Sequence, residues 1–194
     1  MTLTRKVVLA FSASAALYFL WDATRGIRAI ESLVRPVIHK ELVNRYAGIY
    51  KEDPLFVTAL IKVESNFIRK AKSSRGAVGL MQIMPMTGSE IAAELKVPGY
   101  GPGDLERPEV NIRFGFHYLS KLRKEFGEDD VAVLAAYNAG PKNAREWISQ
   151  SRSVRLAFSG IPFPETRRFA EDVLSTYGWL KRLRAWRSAF MERP

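Results

Sequence analysis

Residues 108–126 read PEVNIRFGFHYLSKLRKEF. Val110, Phe114, Tyr118 and Leu122 recur at every fourth position, so they share one stripe of an α-helix while Arg113, Lys121 and Lys124 fall off it. Pro108 suits a first helical position, where its missing N–H costs nothing. The segments on either side repeat this period. Upstream, Asp53-Pro54 reads as a capped helix start for a helix over residues 53–68, and Pro85 opens another over 84–95. Downstream, helices are expected over 130–138 and 142–150, separated by the Gly140-Pro141 stop, and from Glu165 onward after the stiff Ile161-Pro162-Phe163-Pro164 connector. Residues 72–79 are rich in Ser, Gly and Lys and read as a loop. Residues 97–108 hold three Pro and three Gly and are expected to be extended. No strand alternation or internal repeat is visible. The fold class expected is all-α, built of short helices around one Pro/Gly-rich loop.

The chain has 194 residues, enough for one ordinary domain and an appendage. It is 47% hydrophobic and 26% charged, a globular composition. With no cysteine, disulfides, thiolate metal sites and cysteine nucleophiles are excluded. His39 and His117 lie far apart in sequence, which argues against a His-rich metal site. Catalysis would then rest on carboxylates, hydroxyls or amides. The formal net charge of +10 favours polyanionic partners without choosing among nucleic acid, anionic lipid and acidic polymers.

Arg5 and Lys6 precede an uncharged run from Val7 to Trp21. No small-x-small pair closes that run, so residues 1–25 read as an uncleaved signal-anchor rather than a cleaved signal peptide. Tyr18 and Trp21 suit an interfacial position, and Arg5 and Lys6 would stay cytoplasmic. Residues 26–45, loosely helical and interrupted at Pro36, read as a stalk, and 46–194 as the functional domain. At the far end, Trp179, Lys181, Arg182, Arg184, Trp186, Arg187 and Phe190 mix aromatic and basic character. Such a helix most simply packs its Trp residues and solvates its Arg residues. Contact with a membrane or an acidic polymer is the alternative.

Glu64 is the anomaly among the carboxylates. Val57, Leu60, Ile61, Phe67 and Ile68 stand three, four or seven positions from it, so it projects from an apolar stripe. A carboxyl held against apolar surface resists ionising and suits a general acid. On position alone, a Glu paired with Lys or Arg at the core edge is the simpler reading. Two further segments weigh against that. Gly76-Ala77-Val78-Gly79-Leu80-Met81-Gln82 has closely spaced glycines that let backbone approach a ligand, and an amide that donates and accepts. Ala135-Ala136-Tyr137-Asn138-Ala139-Gly140-Pro141 ends a helix of small residues with two polar tips.

Together these motifs resemble the soluble lytic transglycosylase family, whose catalytic domain is lysozyme-like. Glu64-Ser65 is similar to the family's catalytic Glu-Ser pair, and Gly79-Leu80-Met81-Gln82-Ile83-Met84-Pro85 to its Gly-Leu-Met-Gln signature. Asn111-Ile112-Arg113-Phe114-Gly115 with Tyr118-Leu119 resembles a helix entry. Residues 135–141 match the Ala-Ala-Tyr-Asn-Ala-Gly-Pro signature, and 161–167 resemble Ile-Pro-Phe-x-Glu-Thr-Arg. The likeness runs over about residues 46–180. Phe169 departs from it, since the family usually carries Tyr there.

The resemblance implies a lysozyme-like multi-helix catalytic domain behind an N-terminal hydrophobic anchor helix. It implies cleavage of the β-1,4 bond between N-acetylmuramic acid and N-acetylglucosamine in peptidoglycan glycan strands, leaving 1,6-anhydro ends. Glu64 would act first as acid and then as base. Ser73, Gln82, Met84, Tyr137, Asn138 and Glu165 are the substrate-binding residues it implies. No carboxylate lies between Glu64 and Glu90, which fits assistance by the substrate's own acetamido group. Glu165 is the candidate second carboxylate if the enzyme were instead a hydrolase; a non-catalytic peptidoglycan-binding module is the other alternative. The implied setting is the cell envelope, anchored to the inner or cytoplasmic membrane and facing the periplasm or exterior. No nucleic-acid motif accompanies the positive charge, and cell-wall or secretion-complex proteins are open as further partners.

Overall fold

A computed structural model describes residues 39–151 and 155–191. The expected anchor and most of the expected stalk lie outside these. Among the described residues the architecture is α1 (Lys40–Tyr50), α2 (Pro54–Ser65), α3 (Pro85–Glu94), a 3-10 turn (Pro102–Glu106), α4 (Pro108–Phe126), α5 (Asp130–Ala139), α6 (Pro141–Gln150), a 3-10 turn (Phe158–Gly160) and α7 (Pro164–Met191). No strand forms among them; two isolated bridges, Lys72 to Val78 and Val78 to Ile83, occur in the loop before α3. None of the described helices is long and apolar enough to cross a membrane.

Two helices form the centre. Val57, Ala59, Leu60 and Ile61 of α2 are fully buried, as are Ala132, Val133, Leu134, Ala135 and Ala136 of α5. Small alanines on α5 allow α4, α6 and α7 to approach it closely, and α7 also lies along α2. The stripe foreseen on α4 packs inward, with Phe114 and Leu122 buried and Val110 and Tyr118 half-buried. A fully buried Leu, Ile or Phe contributes about 1.5–3 kcal/mol.

Capping explains where the helices begin. Asp53 Oδ1 accepts the Leu55 N–H at 2.8 Å, and its Oδ2 accepts the Tyr177 hydroxyl at 2.7 Å. One carboxylate thus starts α2 and ties it to α7. Asp129 does the same for α5, accepting Ala132 N–H at 3.0 Å and Leu156 N–H at 2.7 Å. Beside Asp53, Arg123 bonds Glu52 and Asp130 and lies 4.8 Å above the Phe56 ring.

Three expectations need correction. The helix expected to reach residue 68 ends at Ser65, because Asn66 and Phe67 are both left-handed, at φ 48° and 61°. That turn drops Phe67 into the core and leaves Ile68 45% exposed, so Ile68 does not extend the stripe around Glu64. Residues 97–108 are not simply extended: Asp104 accepts the Gly101 N–H at 2.9 Å, nucleating the 3-10 turn that buries Leu105. Finally, Trp179 is not packed away as expected, being 54% exposed. α1 starts at Lys40 and places Val43 in the core, so the helix spans the expected stalk boundary.

Candidate active site

Glu64 is the next-to-last residue of α2 and is half-buried. Burial alone pushes its carboxyl up to about 8. Among the described residues no Lys or Arg pairs with it, so the ion-paired structural reading has no support there. The neighbouring Ser65 is buried and donates to Ile61 O at 3.1 Å and Leu80 O at 2.8 Å. The helix end that carries the acid is thereby fastened to the loop preceding α3.

That loop is held further by its own backbone and by a side chain from α4. Val78 and Ile83 exchange N–H···O bonds at 3.0 Å, and Gly79 N–H reaches Ala71 O at 2.9 Å. Asn111, 1% exposed, supplies three bonds: its amide donates to Val78 O at 2.8 Å and Leu105 O at 2.9 Å, and its oxygen accepts Met81 N–H at 2.7 Å. Gly79 sits against this amide at φ 84°; a Cβ there would lie 2.2 Å from Asn111 Nδ2 and 2.5 Å from Leu105 O. Gly79→Ala therefore combines a left-handed backbone with a clash against fixed groups. Urea unfolding is expected to show a loss of at least about 2 kcal/mol, and a loss under about 1 kcal/mol would mean the loop is less rigidly held than these contacts require.

Gln82 adopts φ 46° and donates through Nε2 to Gly79 O at 2.9 Å and Ala71 O at 3.2 Å. Ser73 accepts the Ala77 N–H at 3.0 Å and is exposed. Met84 caps α3 and is 42% exposed. The polar groups of Gln82 and Ser73 that face the loop thus shape it, while Met84 offers apolar surface.

Tyr137 comes from the end of α5. Its hydroxyl donates to Met81 O at 2.8 Å, and its ring lies 5.5 Å from that of Tyr118. Burial first, and then the charge on nearby Glu64, hold the phenol well above its ordinary value. It is therefore a neutral donor committed to the loop. Met81 itself passes so close to α4 that a Cβ on Gly115 would lie 2.2 Å from its sulfur. Asn138 accepts the hydroxyl of buried Thr166 at 2.7 Å, joining α5 to the first turn of α7. On that turn, Glu165 is exposed and pairs at 2.8 Å with Arg75 from the loop tip. An open groove of about 440 Å³ runs beside it, lined by Val63, Pro164, Glu165, Arg168, Phe169 and Asp172. Phe169 is nine-tenths buried there, and Val63, the residue before Glu64 on α2, lines the same groove.

Three walls thus meet around Glu64: the end of α2, the loop through Leu80 and Met81, and the end of α5. Tyr137 is its electrostatic neighbour, and Asn138 is coupled to α7 beside Glu165. Glu165 is engaged with a cation on the rim. Asn111, Ser65 and Thr166 hold the walls together and are not among the site residues expected from the sequence. For Asn111 a signal existed: an amide on an otherwise apolar face of α4.

A profile of the transglycosylase SLT domain matches residues 41–156. The soluble lytic murein transglycosylase of Salmonella typhimurium is 36% identical over 160 residues, covering 80% of this chain and 25% of that protein. The crystal structure of the 70 kDa soluble lytic transglycosylase SLT70 from Escherichia coli aligns with a TM-score of 0.69 at 36% identity, covering 74% of this chain and 24% of that one. An inactive Glu-to-Gln mutant of lytic transglycosylase Slt from Pseudomonas aeruginosa aligns with a TM-score of 0.70 at 31% identity, covering 88% and 30%. The chain spans about a quarter of the length of the soluble lytic murein transglycosylases it matches.

Proposed function

The chain belongs to the transglycosylase SLT domain family, and from that footing we propose that it is a lytic transglycosylase of the bacterial cell wall with Glu64 as its one acid–base group. The observation that carries this reading is the half-buried, unpaired carboxyl of Glu64, pushed to about 8 by burial. A carboxyl in that state is protonated at neutral pH and placed to protonate the bridging oxygen of the β-1,4 bond between N-acetylmuramic acid and N-acetylglucosamine. Positive charge then develops at the anomeric carbon of the muramic acid. The acetamido carbonyl of the same sugar stabilises that centre. Glu64, now a carboxylate, takes the proton from the sugar's 6-hydroxyl, whose oxygen closes the 1,6-anhydro ring. Protons balance, and no water is consumed.

In this reading Ser73 and Gln82 order the loop beneath the sugar, Met84 gives it an apolar face, and Tyr137 and Asn138 form the opposite wall. Glu165 orients or binds from the rim; its exposure and its pairing with Arg75 support that part over a second catalytic carboxylate. Neither a metal nor an organic cofactor enters the scheme. The substrate sets the location in the cell envelope, and residues 1–25 are assigned as the membrane anchor, with residues 26–45 as the stalk and 46–194 as the catalytic domain.

Mass spectrometry of purified sacculi digested by the full chain tests the reading. Anhydro-muramic ends are expected, each about 18 Da below the hydrolytic product because water is not added. Ordinary reducing ends would make the protein a hydrolase. Binding without any turnover would make it a peptidoglycan-binding module.

A further inference from the structure

α7 carries two apolar stripes, and only one of them faces the domain. Phe169, Ala170 and Val173 are buried, and Tyr177 and Leu180 continue that side half-buried. At 3.6 residues per turn, Trp179, Leu183 and Trp186 form a second stripe rotated by roughly 120° from the first. These three are 54%, 45% and 56% exposed, and every residue over 181–189 is exposed. The end of α7 therefore carries an apolar stripe that is not part of the core side.

The charge around this stripe has one sign. No Asp or Glu occurs over residues 173–191, whereas Lys181, Arg182, Arg184 and Arg187 all do. On the helical wheel, Arg182 and Arg187 stand on opposite edges of the stripe. Lys181 lies 5.1 Å from the Tyr177 ring and covers the side nearer the body. An apolar stripe with cations on both edges is the arrangement by which a helix lies in a membrane interface, its aromatic and aliphatic groups in the acyl boundary and its cations among headgroups. A neutral protein partner would gain nothing from four cations without a counter-charge.

We propose that the C-terminal part of α7 docks in the plane of an anionic lipid surface, through Trp179 and Leu183 with Arg182 and Arg187. The docking is separate from the chemistry at Glu64 and from the anchor assigned to residues 1–25. It would hold the catalytic domain against the bilayer by its own far end.

Hydrogen exchange of the full chain, followed on peptides covering 179–191, reads this segment directly. Without vesicles the segment should exchange fast, because every residue over 181–189 is exposed. With vesicles of phosphatidylcholine and about one-third phosphatidylglycerol, exchange is expected to slow by at least about tenfold at 0.1 M salt, and to recover at about 1 M. Phosphatidylcholine alone should leave it fast. The variant Arg182→Glu/Arg187→Glu should lose the slowing while the peptides of α2 and α5 keep their protection, which shows that it folds. Equal exchange in both vesicle types overturns the proposal. So does protection already present without vesicles (the chain's own residues cover the stripe), protection that grows with protein concentration (a second copy does), or slowing by sacculi and not by vesicles.

Discussion

Glu64→Gln is expected to lower turnover of sacculi by about three orders of magnitude while making the folded chain more stable at and above neutral pH. The first half follows from removing the group proposed to move both protons. Glutamine keeps the size and the polar tip, so glycan binding should survive. The second half follows from linkage. The folded carboxyl titrates at about 8, against 4.5 for an ordinary glutamate. Between those two values the folded state binds more protons than the unfolded state. Stability therefore falls as pH rises through that window, and the loss is complete above about 8. At pH 7 burial of this group costs on the order of 3 kcal/mol, which the neutral amide does not incur. Denaturant unfolding of both proteins at pH 5, 7 and 8.5 should show a gap in favour of Gln that widens with pH. In parallel, wild-type turnover should decline as pH passes through about 8 and the acid ionises. Substantial turnover by Glu64→Gln would remove Glu64 from the chemistry. A stability gap that is the same at every pH would mean the carboxyl is not held protonated.

Asn111→Ala should be among the most damaging substitutions in the domain that do not touch Glu64. It deletes three buried bonds of 2.7–2.9 Å at once. It leaves Met81 N–H without that acceptor in a place water does not reach, since Met81 and Leu80 are fully buried. A loss of about 3–5 kcal/mol is expected. Met81 also offers the carbonyl that receives the Tyr137 hydroxyl, and Leu80 the one that receives Ser65. Freeing the loop thus loosens two of the walls around Glu64 together. Turnover per folded molecule, with the folded fraction measured on the same sample by near-ultraviolet circular dichroism, should fall by about tenfold or more. Asn111→Asp separates the two donor bonds from the acceptor bond: it keeps an oxygen for Met81 N–H but gives Val78 and Leu105 no donor and buries a charge. It is expected to fare no better than alanine. A loss under about 1 kcal/mol in either variant would show that the loop is held by its backbone bonds alone.

These two residues also mark how far the chain could be read before folding. The period of α4, the Asp-Pro start of α2 and the Gly-Pro stop after α5 are local signals, written within one or two turns of the helix they govern. Their structural positions agree to within a residue or two. The signal failed where a local rule competed with a distant contact. Ile68 fits the helical period, yet Asn66 and Phe67 turn left-handed because Phe67 gains more from the core than the helix would gain from two more residues. The Pro/Gly-rich stretch before α4 reads as extended, yet burial of Leu105 and the Asp104 cap wind it into a turn. Trp179 has the aromatic character of a core residue, yet it is 54% exposed, on a side of α7 turned away from buried Phe169, Ala170 and Val173.

Sequence alone located a carboxyl on an apolar helix face and ordered the motifs around it, because helical facing depends only on spacing along the chain. It could not say whether that carboxyl would be neutral. Desolvation is set by what packs over the α2 terminus from elsewhere, here the loop through Leu80 and Met81 and the Tyr137 end of α5, each brought in by bonds spanning tens of residues. The same is true of the amides. Gln82 and Asn111 carry the same chemistry in one dimension; in three, one orders the loop from within and the other pins it from α4, since a hydrogen bond goes to whichever partner the fold brings within about 3 Å.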